Sequence, residues 1–249
     1  MKIVSVFSYR GNVGKTTLAS GLAIKLYERG YNIGLLDFDL LTPGGLAMLF
    51  NYINIDLGVV DLLLDDIPLS SILIDISFRT QKNKLYLIPA VLDIEKIIRV
   101  IREGCPFWKL KKIFDALRNE LDLLIVDTHA GFVEDTITML TLSDLIVLIL
   151  KYDLQDIVGT RIATSILKKM RIPLLSLVNM APLDCRQSEL LDHIEGSIGI
   201  RPIMAIPTYQ ELTEHMLKGS IIDFINNHAK FASDIEKLAT AVEVKINNG

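Results

Sequence analysis

Lys15, Thr16, Asp39 and Asp127 are residues whose types and surroundings could do chemistry together. The first two lie in the stretch Ser8-Tyr9-Arg10-Gly11-Asn12-Val13-Gly14-Lys15-Thr16-Thr17. An apolar run, Ile3 to Phe7, precedes it, and a helical pattern with Leu18, Leu22 and Leu26 on one face follows it. A strand, a glycine-containing loop and a helix opening on Gly-Lys-Thr form the context in which a phosphate-binding loop works. Glycines let successive backbone N–H groups turn inward around a phosphate, and the helix N-terminus adds partial positive charge at the same point. Lys15 would reach the β- and γ-phosphate oxygens, and the Thr16 hydroxyl would ligate Mg²⁺. Tyr9 stands where the usual pattern has its first glycine, so a strict pattern search misses this loop. A plain glycine turn between strand and helix is the competing reading.

Other polar residues fall at the ends of apolar runs. Leu35-Leu36-Asp37-Phe38-Asp39 ends in two carboxylates directed to the same side. Asp39 could hold a metal-bound water, or orient the water that attacks a γ-phosphate. Leu123 to Val126 runs into Asp127, then Thr128-His129-Ala130-Gly131. Asp127 would contact Mg²⁺, and the Gly131 N–H could sense a γ-phosphate. His129 is read as a structural loop residue in preference to a phosphate or water contact. Leu174 to Val178 ends in Asn179, whose amide can pair with the N6 and N7 edge of adenine. Pro207 and Tyr209 would wall the base.

These positions need a scaffold that brings strand ends together. Strands are predicted at 3–7, 33–38, 85–89, 123–127, 145–150, 174–178 and 202–206. Helices are predicted at 16–29, 94–103, 107–119, 135–142, 157–169, 188–197 and 210–218, with a terminal one over 229–242. The alternation predicts an α/β, doubly wound, mostly parallel sheet of about seven or eight strands flanked by helices, the P-loop NTPase class. Ligands in such sheets bind at the carboxyl ends of the strands. No linker or repeat interrupts the pattern, so residues 1–249 are read as one domain.

Half of the residues are hydrophobic and the mean hydropathy is +0.39, which suits strands buried on both faces. Every apolar run is broken by a charge before about 18 residues, so no membrane span is expected. Met1-Lys2-Ile3 enters a strand directly, without a signal peptide, and the expected location is cytoplasmic. Cys105 and Cys185 are far apart and read as reduced thiols. A net charge of −4 gives no global attraction to nucleic acid or anionic membrane.

The chain resembles the MinD/ParA family of P-loop ATPases, the branch with a deviant Walker A loop. The family's loop runs lysine-glycine-glycine-any-glycine-lysine-threonine, matched here by Arg10 to Thr16. The similarity continues through Asp37-Phe38-Asp39, Leu85 to Ala90, Asp127 to Gly131, Asn179 and Pro207. The resemblance implies an ATPase that uses ATP/ADP and Mg²⁺. It implies nucleotide contacts from Arg10, Gly11, Asn12, Val13, Gly14, Lys15, Thr16, Thr17, Gly131, Asn179, Pro207 and Tyr209. It implies metal contacts from Thr16, Asp39 and Asp127, and catalytic roles for Arg10, Lys15 and Asp39. It also implies an ATP-dependent homodimer in which Arg10, in the place of the family's first loop lysine, reaches the partner's phosphates. Hydrolysis would release the dimer, and a protein activator or adaptor, DNA or a membrane surface would read the nucleotide state, placing the protein at the membrane or nucleoid periphery. Such ATPases position division sites, chromosomes, plasmids or organelles. Arg10, Asn12 and Tyr9 depart from the family loop. Guanidinium keeps the charge and can grip phosphate with two N–H groups, and asparagine tolerates left-handed backbone.

Two basic segments, Trp108 to Lys112 and Lys168 to Arg171, are candidate phosphate contacts but read more simply as outer helix faces. Phe231, Ile235, Leu238 and Val242 predict a packed terminal helix in preference to a membrane anchor. The cysteines do not fall where iron–sulfur relatives carry theirs. Two further readings remain: a regulatory scaffold that binds nucleotide with little or no hydrolysis, and an ATP-dependent ligase on the same fold.

Overall fold

The computed structural model describes residues 1–52, 54–65, 67–78, 82–91, 93–182, 186–216 and 221–248. Eight strands form one sheet: β1 (Lys2–Phe7), β2 (Ile33–Phe38), β3 (Ile74–Asp75), β4 (Leu85–Ile88), β5 (Leu123–Thr128), β6 (Leu145–Lys151), β7 (Leu174–Ala181) and β8 (Ala205–Pro207). Their order is β3-β4-β2-β5-β1-β6-β7-β8. All pairings are parallel except that of β3, a two-residue antiparallel edge strand that the sequence pattern does not reveal. The predicted mostly parallel α/β sheet is therefore the observed one.

Period-two burial explains why the strands read as continuous apolar runs. In β5, Leu123 and Ile125 join one core while Leu124 and Val126 join the other, on the opposite face. One core receives α1 (Lys15–Glu28), α10 (Ile221–Asn227) and α11 (Ala229–Asn247). On the other face, α3 (Val59–Leu64) and α5 (Phe107–Leu117) cover the β2–β5 half, while α7 (Leu154–Met170) and α8 (Gln187–Ile198) cover the β6–β7 half. The terminal helix packs as its stripe predicts: Phe231, Ile235, Leu238 and Val242 are all buried.

The remaining helices are α2 (Gly45–Met48), α4 (Ile94–Glu103), α6 (Glu134–Thr141) and α9 (Gln210–Met216). Lys218, the expected end of α9, and Cys185 lie outside the described residues. Helices α2, α3 and α10 have four to seven residues, too short for a helical period to stand out in sequence. No helix among the described residues is long and apolar enough to cross a membrane.

The loop from Ser8 to Gly14 lies between β1 and α1, at the centre of the sheet. Register pairs Val6 with Asp127 and Asp37 with Asp127, so the carboxyl ends of β1, β5 and β2 converge there.

Candidate nucleotide site

The loop from Ser8 to Gly14 is shaped by two left-handed residues, Asn12 at φ 60° and Gly14 at φ 87°. Asparagine replaces a family glycine at a position where the backbone needs that conformation, and it tolerates it better than most residues. Asn179, at the far end of β7, braces the loop: its Nδ2 donates to the Val13 carbonyl at 2.8 Å. The Ser8 hydroxyl donates to the Arg10 carbonyl at 2.6 Å, closing the loop's first turn.

Tyr9 has its own explanation. Its ring packs on Gly159 of α7, where an added Cβ would stand 2.1 Å from Tyr9 Cδ1. The missing first glycine is thus a residue that anchors the loop to α7. Gly159→Ala is expected to lower the melting temperature, because overpacking costs about 1–3 kcal/mol against a gain of about 1 kcal/mol in helix propensity. In a Tyr9→Ala background the same substitution is expected to be neutral or stabilising. Thermal denaturation of the four proteins checks this, and an equal cost in both backgrounds would remove the steric explanation.

Arg10 is exposed, and its Nη1 donates to Gln155 Oε1 at 2.6 Å. Asp153 caps α7 by accepting from the Asp156 N–H, and Asp156 Oδ2 in turn accepts from Lys151 N. Asp156 is buried, and its carboxylate is among those facing Lys15 and Arg10. Sequence reasoning missed Gln155 and Asp156. The Asp-x-x-Asp spacing at the helix start was an available signal, but nothing in it pointed to the loop.

The charged centre is buried. Lys15 is only 8% exposed, and burial lowers its pKa against the pull of Asp127, Asp39 and Asp156. Burial pushes the Asp127 carboxyl up to about 6, opposed by the Thr16 hydroxyl bonded to it and by Lys15. Asp127 Oδ1 is buried without a hydrogen-bond partner among the described residues. A buried carboxylate oxygen lacking a donor, beside a threonine hydroxyl, is a pair of hard oxygen ligands that fits Mg²⁺. Such a site leaves most positions to phosphate and water, and among the described residues no cluster of three or more His, Cys, Asp or Glu forms a metal cage.

The two carboxylates of β2 do not share one environment. Asp37 is fully buried, its pKa raised by burial and by Asp127, and it accepts from the backbone N–H groups of Asp39 and Gly44. Asp39 is partly exposed, accepts from Thr42 N at 3.1 Å and meets His129 Nδ1 at 2.7 Å. His129 therefore belongs to the site. The Gly131 N–H donates to the Ser8 carbonyl at 2.9 Å, so it must exchange that partner to meet a phosphate.

At the ends of β7 and β8, Asn179, Met180, Pro207 and Tyr209 line a cleft of about 80 Å³ beside Gly14 and Thr17. The Tyr209 hydroxyl is held by Asp234 at 2.8 Å, and burial with that carboxylate pushes its pKa up. The structure therefore gathers every sequence-predicted site residue around one strand-end region, with Arg10 at its exposed margin. The basic segments are partly engaged elsewhere: Lys109 donates to the Leu63 carbonyl and Lys168 to the Gly199 carbonyl. Cys105 is buried and its thiol is pushed up by that burial.

A family model described as an AAA domain matches residues 1–173. The flagellum site-determining protein YlxH of Helicobacter pylori is 24% identical over 273 aligned residues, covering 100% of this chain and 84% of that protein. An iron–sulfur cluster carrier protein of Aquifex aeolicus is 25% identical, covering 98% of this chain and 69% of its own length. The septum site-determining protein MinD of Pyrococcus horikoshii, solved with Mg-ADP, superposes with a TM-score of 0.79 at 21% identity, covering 97% of this chain and 95% of that one. The AAA-domain model spans more than half of the chain's length, so the chain belongs to that family, and its fold is the one solved for MinD.

Proposed function

We propose that residues 1–249 form one ATPase domain that acts as a nucleotide-dependent dimerisation switch in spatial positioning or partitioning. The observation that carries this reading is the buried Lys15–Asp127 centre, with its orphaned Asp127 Oδ1, next to a partly exposed Asp39. Loop N–H groups from Gly11 to Thr17 and the Lys15 ammonium hold the β- and γ-phosphates. Thr16 and Asp127, with Asp39 near them, would hold Mg²⁺, which would neutralise charge developing on the phosphates. Asp39 accepts a hydrogen bond from the attacking water. The water oxygen bonds to the γ-phosphorus, the bond to the ADP oxygen breaks, and the water's proton leaves with phosphate or solvent. Pro207 and Tyr209 flank the base, and Asn179 links base and loop, its Oδ1 facing the exocyclic amine of adenine.

The exposed Arg10 supports a second copy as partner, because release from Gln155 frees a guanidinium for a phosphate across an interface. The roles named for YlxH and MinD support positioning as the biological use, with an activator or adaptor protein reading the nucleotide state at a membrane or nucleoid surface. A regulatory scaffold with weak hydrolysis is the second reading. It is favoured by the internal bonds that now hold Arg10 and the Gly131 N–H.

Asp39→Ala is expected to bind ATP, release little phosphate and persist as an ATP-bound dimer in light scattering. If wild type and variant remain the same monomer with and without ATP, the dimer switch is wrong. Nucleotide binding by wild type without phosphate release above background would select the scaffold.

A further inference from the structure

His129 reaches Asp39 from another strand. It is the first residue after β5, while Asp39 is the first after β2. Its Nδ1 lies 2.7 Å from Asp39 Oδ1, and the two side chains are 26% and 24% exposed. A carboxylate oxygen can only accept, so Nδ1 carries the proton and the bond selects the ring's tautomer. The same Oδ1 also accepts from Thr42 N–H at 3.1 Å. Among the described residues no hydrogen bond reaches Asp39 Oδ2. One oxygen is thus fixed from two sides and the other remains open as an acceptor.

We propose that His129 is a positioning residue for ATP hydrolysis: its Nδ1–H fixes the Asp39 carboxylate so that Oδ2 receives the attacking water. The inference rests on the reading of Asp39 as the water-orienting residue. A short carboxylate at a strand-to-loop junction turns among several rotamers when only one backbone donor holds it. A second donor from an adjacent strand end confines it, and small misplacements of such groups slow reactions strongly. The Asp37 carboxylate and the Thr42 N–H hold the local turn after β2, so the backbone there does not need His129. Two residues on, Gly131 N–H ties the same segment to Ser8 of the phosphate loop. His129 therefore links Asp39 to the segment that borders the phosphates.

The experiment compares wild type, His129→Ala and His129→Asn as full chains, measuring steady-state phosphate release, binding of a non-hydrolysable ATP analogue with Mg²⁺, and thermal denaturation. His129→Ala is expected to lower kcat about tenfold or more, as loss of such supporting partners typically does. Analogue affinity and melting temperature are expected to stay near wild type. Asparagine offers an N–H donor near the position of Nδ1, and His129→Asn is expected to recover most of kcat. In an Asp39→Asn background, His129→Ala is expected to add no further loss, because it acts through Asp39. An unchanged kcat in His129→Ala, a loss confined to analogue affinity, no rescue by asparagine, or an additive loss in the double variant would each overturn the proposal. If Asp39→Asn alone keeps wild-type turnover, the reading of Asp39 falls and the proposal with it, an outcome seen without touching His129.

Discussion

Lys15→Ala is expected to abolish measurable binding of ATP and ADP by titration calorimetry. Hydrogen bonds to charged groups contribute about 1.5–3 kcal/mol each, so losing two phosphate contacts corresponds to roughly 100- to 10,000-fold in affinity. The buried position makes the loss specific. Lys15 sits in a low-dielectric pocket where its charge acts on nearby groups with little screening, and no exposed lysine can replace it there. Unchanged affinity would mean that the loop between β1 and α1 is not a phosphate site.

The same variant has a pH signature. In the metal-free protein Asp127 titrates near 6, above its ordinary value. The folded state therefore binds more protons than the unfolded state between about 4 and about 6, and Asp127's contribution to stability declines as pH rises through that window. Lys15 is one of the influences that hold the Asp127 carboxyl down. Without it the folded pKa moves higher and the declining window extends upward. The melting temperature of Lys15→Ala, relative to wild type, is thus expected to fall as pH rises through about 6 and above in metal-free buffer. A constant difference would show that Lys15 and Asp127 do not interact as placed.

How much of this was legible beforehand follows from the range of each interaction. The strands declared themselves because both faces are apolar, as in Ile33–Phe38 and Leu123–Thr128. Lys15 and Thr16 stand out because strand, loop and helix follow one another locally, and Asp127 because it ends an apolar run. Lone residues at strand ends were harder. His129 looked like an ordinary loop histidine, since its partner Asp39 lies 90 positions away and nothing local encodes that meeting. Tyr9 looked like damage to a motif, and only its contact with Gly159 shows an anchor. Spacing directs Asp37 and Asp39 to the same side without reporting depth. The structure separates them into a buried brace for the β2 loop and a partly exposed acceptor. Asn179 suggests a base contact by residue type, and spacing could not indicate the amide N–H bond it makes to Val13.

Gly14→Ala is expected to weaken nucleotide binding by about tenfold or more and to lower the melting temperature, for two separable reasons. The first is backbone conformation: at φ 87° a side chain costs about 1–2 kcal/mol. The second is space: the new Cβ would stand 2.4 Å from Asn179 Nδ2 and drive that amide off the Val13 carbonyl, loosening the loop that presents its N–H groups. Asn179→Ala removes the clash but not the conformational cost. In that background Gly14→Ala is expected to cost less than in wild type, with a remainder near the conformational value alone. Asn179→Ala by itself leaves the Val13 carbonyl without its donor and should weaken nucleotide binding modestly. Calorimetric affinities for the four proteins complete the cycle. If Gly14→Ala costs the same in both backgrounds, the amide is not pressed against the loop, and Asn179 is left with the base alone. A cost that vanishes in the Asn179→Ala background would place the whole effect in that contact and show that the left-handed turn at Gly14 relaxes freely.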